Sequence, residues 1–416
     1  MSEDFDYGSL QQPPGGYANS AAPSAGYGPN QSASSPYGQG ALAVADADDG
    51  AGGGGGTSSS AQLPSPYPLQ ADPGLTDAPK GDKLRQCFAD LTKKKAFAHL
   101  KLALVDLTGA GKGTVPYVGF KDNELTLVAS TAKLAMILPA FALRQAARSA
   151  AALLVPPPTP GNFFNQLDSA WDKEFRRGFR GGKANDTKPD LRAILAARPA
   201  SRAGAPLKIN FTIQQNTDRT KAGFYPLLEL ALSELSDNAA AAVCIDRLGF
   251  PYIHEAHRAA QVDSKGGKDG LKLNSDFGLK TWDPSFGGGQ HATARWIAEL
   301  LVLIARDRLV ANGLAPEIHD VMCLKPPDLA TGIDNRLSSD ESKTLTRQGK
   351  IGYLDTGPFG DCAIIQRTTA KGTMLSYVAV AFHGNSHDEI KEVGAELDDC
   401  ILVAHGEPKK KPVATP

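Results

Sequence analysis

The sequence predicts an α+β fold of the α/β sandwich type, with a disordered tail at its N-terminus, and three observations predict it. Strand patterns cluster near both ends of the part of the chain that can fold. Helical periodicity fills the stretch between them, so the two ends would build one antiparallel sheet with covering helices beside an all-helical middle. The first 80 residues have the composition of neither part. At 416 residues, the folded part can form one large domain or two interleaved ones.

The tail, residues 1–80, reads as disordered and of low complexity. Its first 79 residues contain no Lys or Arg, are rich in Gly, Ser, Ala, Pro and Gln, and hold an unbroken glycine run from Gly52 to Gly56. Such a segment buries too little apolar surface to offset the entropy of ordering it. Its acids (Glu3, Asp4, Asp6, Asp46, Asp48, Asp49, Asp72 and Asp77) contribute −8 against −1 for the whole chain, which leaves +7 for residues 80–416. Tyr7, Tyr17, Tyr27 and Tyr37 recur at a fixed interval. A weak self-association or surface-binding tail and a drifting repeat without a partner both fit them. No basic segment followed by an apolar one marks a secretory signal, and no run is apolar enough to span a membrane, so localisation stays open between the cytoplasm, as the chain is written, and the periplasm or exterior by a route the sequence does not mark.

Residues 81–416 form the folded domain. Asp82 can cap a helix whose Leu84, Cys87, Phe88 and Leu91 share one face. Leu100, Leu102 and Leu104 then alternate with Lys101, Ala103 and Val105 as a strand, and a glycine-rich turn from Thr108 to Gly113 leads to a partner from Val115 to Phe120. A long apolar helix is expected from Ser130 to about Leu154. At the other end, Lys350 to Tyr353, Cys362 to Thr369 and Met374 to Phe382 read as strands, and a closing helix carries Ile390, Val393, Leu397 and Ile401 on one stripe. The sheet part is thus expected from 81–129 and 340–405, and the helical part from 130–339. Five cysteines (Cys87, Cys244, Cys323, Cys362 and Cys400), odd in number and without metal-ligand spacing, read as buried free thiols.

An insertion of about 155–205 begins Pro156-Pro157-Pro158 and carries Lys173, Arg176, Arg177, Arg180 and Lys183 with Phe175 and Phe179 interleaved. Basic residues with aromatics can bind nucleic acid. A solvated helix face, or a cover that selects an anionic substrate, would use the same residues, and no nucleic-acid partner is expected.

Three short motifs carry the chemistry. Ser130 and Lys133 form the only Ser-x-x-Lys of the chain; three apart on a helix, they point the same way. A serine hydroxyl needs a base to take its proton, and a lysine desolvated against an apolar bundle has a pKa low enough to serve. Ser236-Asp237-Asn238 and Lys350-Ile351-Gly352 follow in order. With this triple the sequence resembles the class A β-lactamases and penicillin-binding proteins. The opening order of helix, hairpin and nucleophile helix resembles theirs as well, and the resemblance covers roughly residues 82–405.

The resemblance implies a serine hydrolase that forms an acyl-enzyme with a β-lactam or a D-Ala-type peptide amide, without metal or cofactor. Ser130 is then the nucleophile, Lys133 its base, and Ser236 the proton relay to the leaving nitrogen. Asn238 binds the substrate amide and orients Lys133, while Lys350 favours a substrate carboxylate. The Gly352 and Tyr353 end of the strand borders the substrate, and the backbone N–H groups of Ser130 and Tyr353 form the oxyanion hole. Two departures bear on turnover. Ile351 stands where the family has Thr or Ser, and a register on Thr356-Gly357 fails because Asp355 would occupy the lysine position. The family's Glu-x-x-Leu-Asn loop is matched at Leu273-Asn274, but Gly270 replaces the glutamate that activates the deacylating water. Asp269 and Asp276 are nearby substitutes, with His254 and His257 as further candidates, and slow deacylation is the expectation. A binding module of the same fold with little turnover, and a glutaminase-like amidohydrolase, are the competing readings. The Tyr-x-Asn second motif of class C-type esterases is absent.

Overall fold

In the computed structural model, the described residues are 63–68, 72–111, 113–153, 160–179, 181, 185–195, 223–232, 236–262, 270–278, 280–282, 289–310, 314–322, 345–354, 357–369 and 371–409. They are organised around a six-stranded sheet in the order β1-β3-β2-β9-β8-β7. Its strands are β1 (Leu75–Asp77), β2 (Lys101–Asp106), β3 (Val115–Phe120), β7 (Leu345–Gly352), β8 (Phe359–Thr368) and β9 (Met374–Gly384). The two chain ends meet where β2 pairs antiparallel with β9, Leu104 opposite Ala379. Only β1 runs parallel to its neighbour, Leu75 opposite Val115.

The strand period of two sorts the sheet into two cores. Leu102, Leu104, Ala363, Ile365, Tyr377 and Ala379 face one core, together with α1 (Lys83–Thr92) and the closing helix α10 (His387–Ala404). Ala103, Val105, Cys362, Ile364, Val378 and Val380 face the other, which the helical part fills. Helix α1 starts where Asp82 accepts a bond from the Leu84 N–H at 2.7 Å, and it buries Leu84, Cys87, Phe88 and Leu91 as its spacing predicts. Helix α10 buries Ile390, Val393, Leu397 and Ile401 and is pinned to the sheet by a buried network. In it Arg367 of β8 pairs with Asp398, and the Tyr377 hydroxyl donates to the same carboxylate at 2.7 Å.

The helical part comprises α2 (Ile137–Leu153), α3 (Pro160–Phe175), α4 (Leu191–Leu195), α5 (Phe224–Leu232), α6 (Asn238–Leu248), α7 (Phe250–Ala259), α8 (Ala294–Ala305) and α9 (Ala315–Met322). It also contains a small sheet the sequence did not announce. Strands of two or three residues, β4 (Thr126–Leu127), β5 (Leu271–Leu273) and β6 (Gln290–Ala292), pair antiparallel in the order β4-β6-β5. Such short strands carry no readable period.

One expectation needs correction, and one alternative loses its footing. The last part of the tail is not featureless: Leu63–Pro68 lies on the helical part, where Trp171 Nε1–H donates to the Pro64 carbonyl at 2.8 Å and the Tyr252 hydroxyl to the Pro66 carbonyl at 2.6 Å. The Tyr67 ring sits 5.4 Å from that of Tyr252. A composition argument averages over the segment and misses one proline-tyrosine stretch with an aromatic groove to fill. In the insertion, Phe175 is fully buried against Trp171 and Tyr252, so it is core rather than a surface for stacking bases. Its basic neighbours are solvated, with Arg176 on Asp172 at 2.8 Å and Lys188 on Asp168 and Asp172. Arg180 and Lys183 lie outside the described residues, as do the tyrosine repeat and Cys323. No helix among the described residues is long and apolar enough to cross a membrane.

Truncation before residue 81 removes both Leu63–Pro68 and β1. It should lower the melting temperature by several degrees more than truncation before residue 63, as thermal denaturation of the two shortened chains will show. Equal melting temperatures would mean the segment contributes nothing.

Candidate active site

Ser130 and Lys133 sit not on an α-helix but on a 3₁₀ helix, Ala129–Met136, which precedes α2. With three residues per turn, positions i and i+3 eclipse, so this geometry aligns the two side chains more closely than the expected α-helix would. Ala129, the residue before the serine, is held at φ 45°, a region that costs an alanine energy and that folds tolerate mainly where the surroundings dictate it. Ser130 is half-buried and Lys133 fully buried.

The switch from 3₁₀ to α geometry leaves a debt that a histidine settles. Pro139, in the first turn of α2, has no N–H to offer the Ala135 carbonyl four residues back. His257 of α7 supplies the donor, its Nε2–H reaching that carbonyl at 2.9 Å. Burial pushes the His257 pKa down to about 4, so the ring is neutral. His254 likewise donates to the Leu273 carbonyl, at 3.0 Å, and stacks on Trp282. Each histidine thus donates its Nε2–H to backbone, and the His257 Nδ1 is buried without a partner.

Around Lys133 the second motif closes in. Asp237 caps α6 by accepting from the Ala240 N–H at 2.7 Å, which fixes Ser236 (φ 47°) and Asn238 on either side of it. The Lys133 Nζ donates to the Ser236 carbonyl at 2.5 Å and to Asn238 Oδ1 at 2.7 Å, and lies 3.0 Å from Ser236 Oγ. Beyond it, 4.9 Å away, is the ring of Phe277. Burial, and then the positive charge of Lys350, push the Lys133 pKa down to about 7, against the opposing pull of Asp237. A shift of that size represents on the order of 5 kcal/mol against the charged form. The Phe277 face favours the ammonium by only about 1–2 kcal/mol. Desolvation wins.

Lys350 arrives on β7, opposite Cys362 and on the inner face of the sheet. The strand can approach because Gly352 has no side chain: a Cβ there would stand 2.3 Å from the Val128 carbonyl and 2.5 Å from Thr131 Oγ1. This contact sets the end of β7 against the turn that carries Ser130. The Tyr353 side chain points the other way, half exposed, over Phe359 and His387 at the start of α10. What Tyr353 offers the site is backbone.

The structure thus brings Ser130, Lys133, Ser236, Asn238, Lys350 and Gly352 to one seam between sheet and helices. It does not bring Asp276 to it as a free base. Asp276 is buried, and its Oδ1 accepts the N–H groups of Gly278 and Lys280 at 2.8 and 3.2 Å, closing its own loop. The next residue, Phe277, is the one that reaches Lys133. Sequence reading missed Phe277, since no motif marks a ring delivered by a loop of positive φ. Asp269 lies outside the described residues, and Gly270 bonds through its carbonyl to the Thr293 N–H at 2.9 Å.

No protein-family model matches the sequence, and no curated protein matches it significantly. Among solved structures it is similar to a β-lactamase from Sphaerobacter thermophilus, at 15% identity and a TM-score of 0.44, covering 79% of this chain and 98% of that one. An ancestral class A β-lactamase is 16% identical at a TM-score of 0.44, covering 77% and 99%. A β-lactamase from Chitinophaga pinensis is 13% identical at 0.45, covering 78% and 100%.

The histidine beneath the Ser130 segment makes the fold acid-sensitive. The His257 pKa falls on folding, so its contribution is fully present above the unfolded value of about 6.5 and is lost as pH falls from there to about 4. That window is worth on the order of 3 kcal/mol. Denaturant unfolding across it should show this loss, and His257→Gln should flatten the profile; a wild-type curve flat across the window would contradict the burial of a neutral ring.

Proposed function

We propose that this protein is a serine hydrolase that acylates Ser130 with an amide, of the β-lactam or D-Ala-type peptide class, and releases the acyl group slowly. The observation that carries the reading is the Lys133 amine, buried beside Ser236 and Asn238 and depressed to about 7. Near neutral pH about half of such an amine is unprotonated. A neutral amine has two N–H groups and a lone pair. The N–H groups suit the Ser236 carbonyl and Asn238 Oδ1, which leaves the lone pair for a hydroxyl proton. Ser130, one 3₁₀ turn away, is the hydroxyl to be activated, and Ser236 Oγ is placed to carry the proton onward to a leaving nitrogen. Lys350 has a double part: it keeps Lys133 from charging, and it gives the cleft a positive potential suited to a substrate carboxylate.

The oxyanion of a tetrahedral intermediate would be held by the N–H groups of Ser130 and Tyr353, the latter delivered by the close approach at Gly352. With Ile351 in place of a hydroxyl residue, carboxylate recognition falls more heavily on Lys350. Deacylation needs a second base aimed at a water, and the described candidates are engaged elsewhere. Gly270 has no carboxylate, Asp276 Oδ1 holds its own loop, the His257 ring is buried with its pKa pushed down to about 4, and His254 is stacked on Trp282 while it donates to the Leu273 carbonyl. A general base contributes roughly 10²–10⁴ in rate, so without one the acyl-enzyme should accumulate. The same observation favours the second reading, a penicillin-fold binding module that turns over little.

A chromogenic β-lactam should give a burst near one equivalent followed by a slow steady state, with the acyl mass located on Ser130. Ser130→Ala should abolish the mass while the protein stays folded, and Asp276→Asn should leave the burst intact. Labelling that persists in Ser130→Ala would remove the nucleophile, and steady turnover without a burst would remove the slow second step.

A further inference from the structure

The first and last helices of the domain meet through two cysteines that the chemistry above does not use. Cys87 of α1 and Cys400 of α10 are both buried, and their Sγ atoms lie 2.7 Å apart, inside the contact distance of two separate thiols. They are separated by 313 positions in sequence. The remaining described cysteines are different in kind. Cys244 is wholly enclosed, and burial pushes its thiol up. The Cys362 thiol contacts the Lys350 carbonyl at 3.3 Å, inside the other core.

The surroundings of the pair suit exchange chemistry. Cys87 lies below the ordinary thiol value, first because the Cys400 S–H donates to it and then because Lys409 brings a positive charge, with burial opposing. The same bond, together with burial, pushes Cys400 up. Cys87 is the attacking partner by this asymmetry. It retains a little exposure, on the side of the exposed Lys409, whereas Cys400 has none.

We propose that Cys87 and Cys400 are an oxidisable dithiol site, converted to a disulfide that staples α1 to α10 by a small-molecule or protein disulfide as oxidant. The Cys87 thiolate attacks one sulfur of the oxidant's disulfide, forming a mixed disulfide and expelling one thiol. Cys400 then gives up its proton and attacks the Cys87 sulfur, expelling the second thiol. The protein loses two protons and two electrons, and the oxidant's disulfide takes them up to become two thiols. The bond would close a loop containing almost the whole folded domain, where the chain-entropy effect of a cross-link is largest. The site lies on the outer face of the sheet, away from the Ser130 seam, so the reaction does not depend on the proposed hydrolase activity.

The full chain is incubated with oxidised glutathione, its remaining thiols are trapped with N-ethylmaleimide, and intact mass and peptide mapping are read. The expected result is a loss of two hydrogens, one cross-linked peptide joining Cys87 to Cys400, and Cys244 and Cys362 unchanged. The melting temperature should exceed that of the dithiothreitol-reduced protein by roughly 5 °C. Cys87→Ala and Cys400→Ala should each lose the cross-link and the redox dependence of melting, with Cys87→Val as the better-filled variant should the alanine not fold. A protein that keeps both thiols, a glutathione adduct on Cys87 that is never resolved, or a cross-link through Cys244, Cys323 or Cys362 would each overturn the proposal.

Discussion

Two lysines share one buried seam, and the energetics of the candidate site follow from that. An ammonium stripped of water is costly, and a second positive charge nearby raises the cost. At Lys133 both act together, and Asp237 and the Phe277 ring recover only part of the loss. The protein sustains this with a rigid frame. The 3₁₀ turn holds Lys133 in place, the cap at Asp237 holds its acceptors, and the glycine at position 352 lets the Lys350 strand close against both. Ala129 and Ser236 are both held at positive φ in the candidate site, a cost the surrounding packing must cover.

The sandwich explains how such a frame is built from distant parts of the chain. Lys350 comes from the last third, Lys133 from the first, and Ser236 and Asn238 from between them. The sheet reconciles them because its central strands, β2 and β9, come from opposite ends and are packed on both faces. On one face, α1 and α10 are joined to it by the Arg367–Asp398–Tyr377 network and the Cys87–Cys400 contact. On the other, the helical part presents the 3₁₀ turn of Ser130 and Lys133. Breaking a buried pair such as Arg367–Asp398 typically costs about 3–5 kcal/mol, because it strands a charge. Such a loss would reach the site only through the strands that carry Lys350.

Much of this was legible in the sequence, for physical reasons. The helix faces of α1 and α10 and the alternation in the long strands are local patterns, and the structure reproduces their positions closely. The three motifs were legible because each is a short spacing with a chemical purpose. Long-range contacts were not. That His257 would supply the donor that Pro139 cannot offer the Ala135 carbonyl depends on a helix more than a hundred residues away. Asp276 looked like a spare carboxylate because its spacing says nothing about the two N–H groups that occupy it. Leu63–Pro68 was hidden inside a low-complexity composition, although its prolines and tyrosine suit an aromatic groove.

Burial beside Lys350 holds the Lys133 pKa near 7, so that about half of the amine is neutral near neutral pH. The direct test is an NMR titration of the lysine side chains, with the resonance assigned by Lys133→Arg and repeated in Lys350→Met. The wild type should titrate with a midpoint near 7, and the midpoint should rise once the Lys350 charge is removed, since burial is then the remaining cause that lowers it. A wild-type midpoint near the ordinary lysine value of about 10.4, unmoved by Lys350→Met, would contradict this.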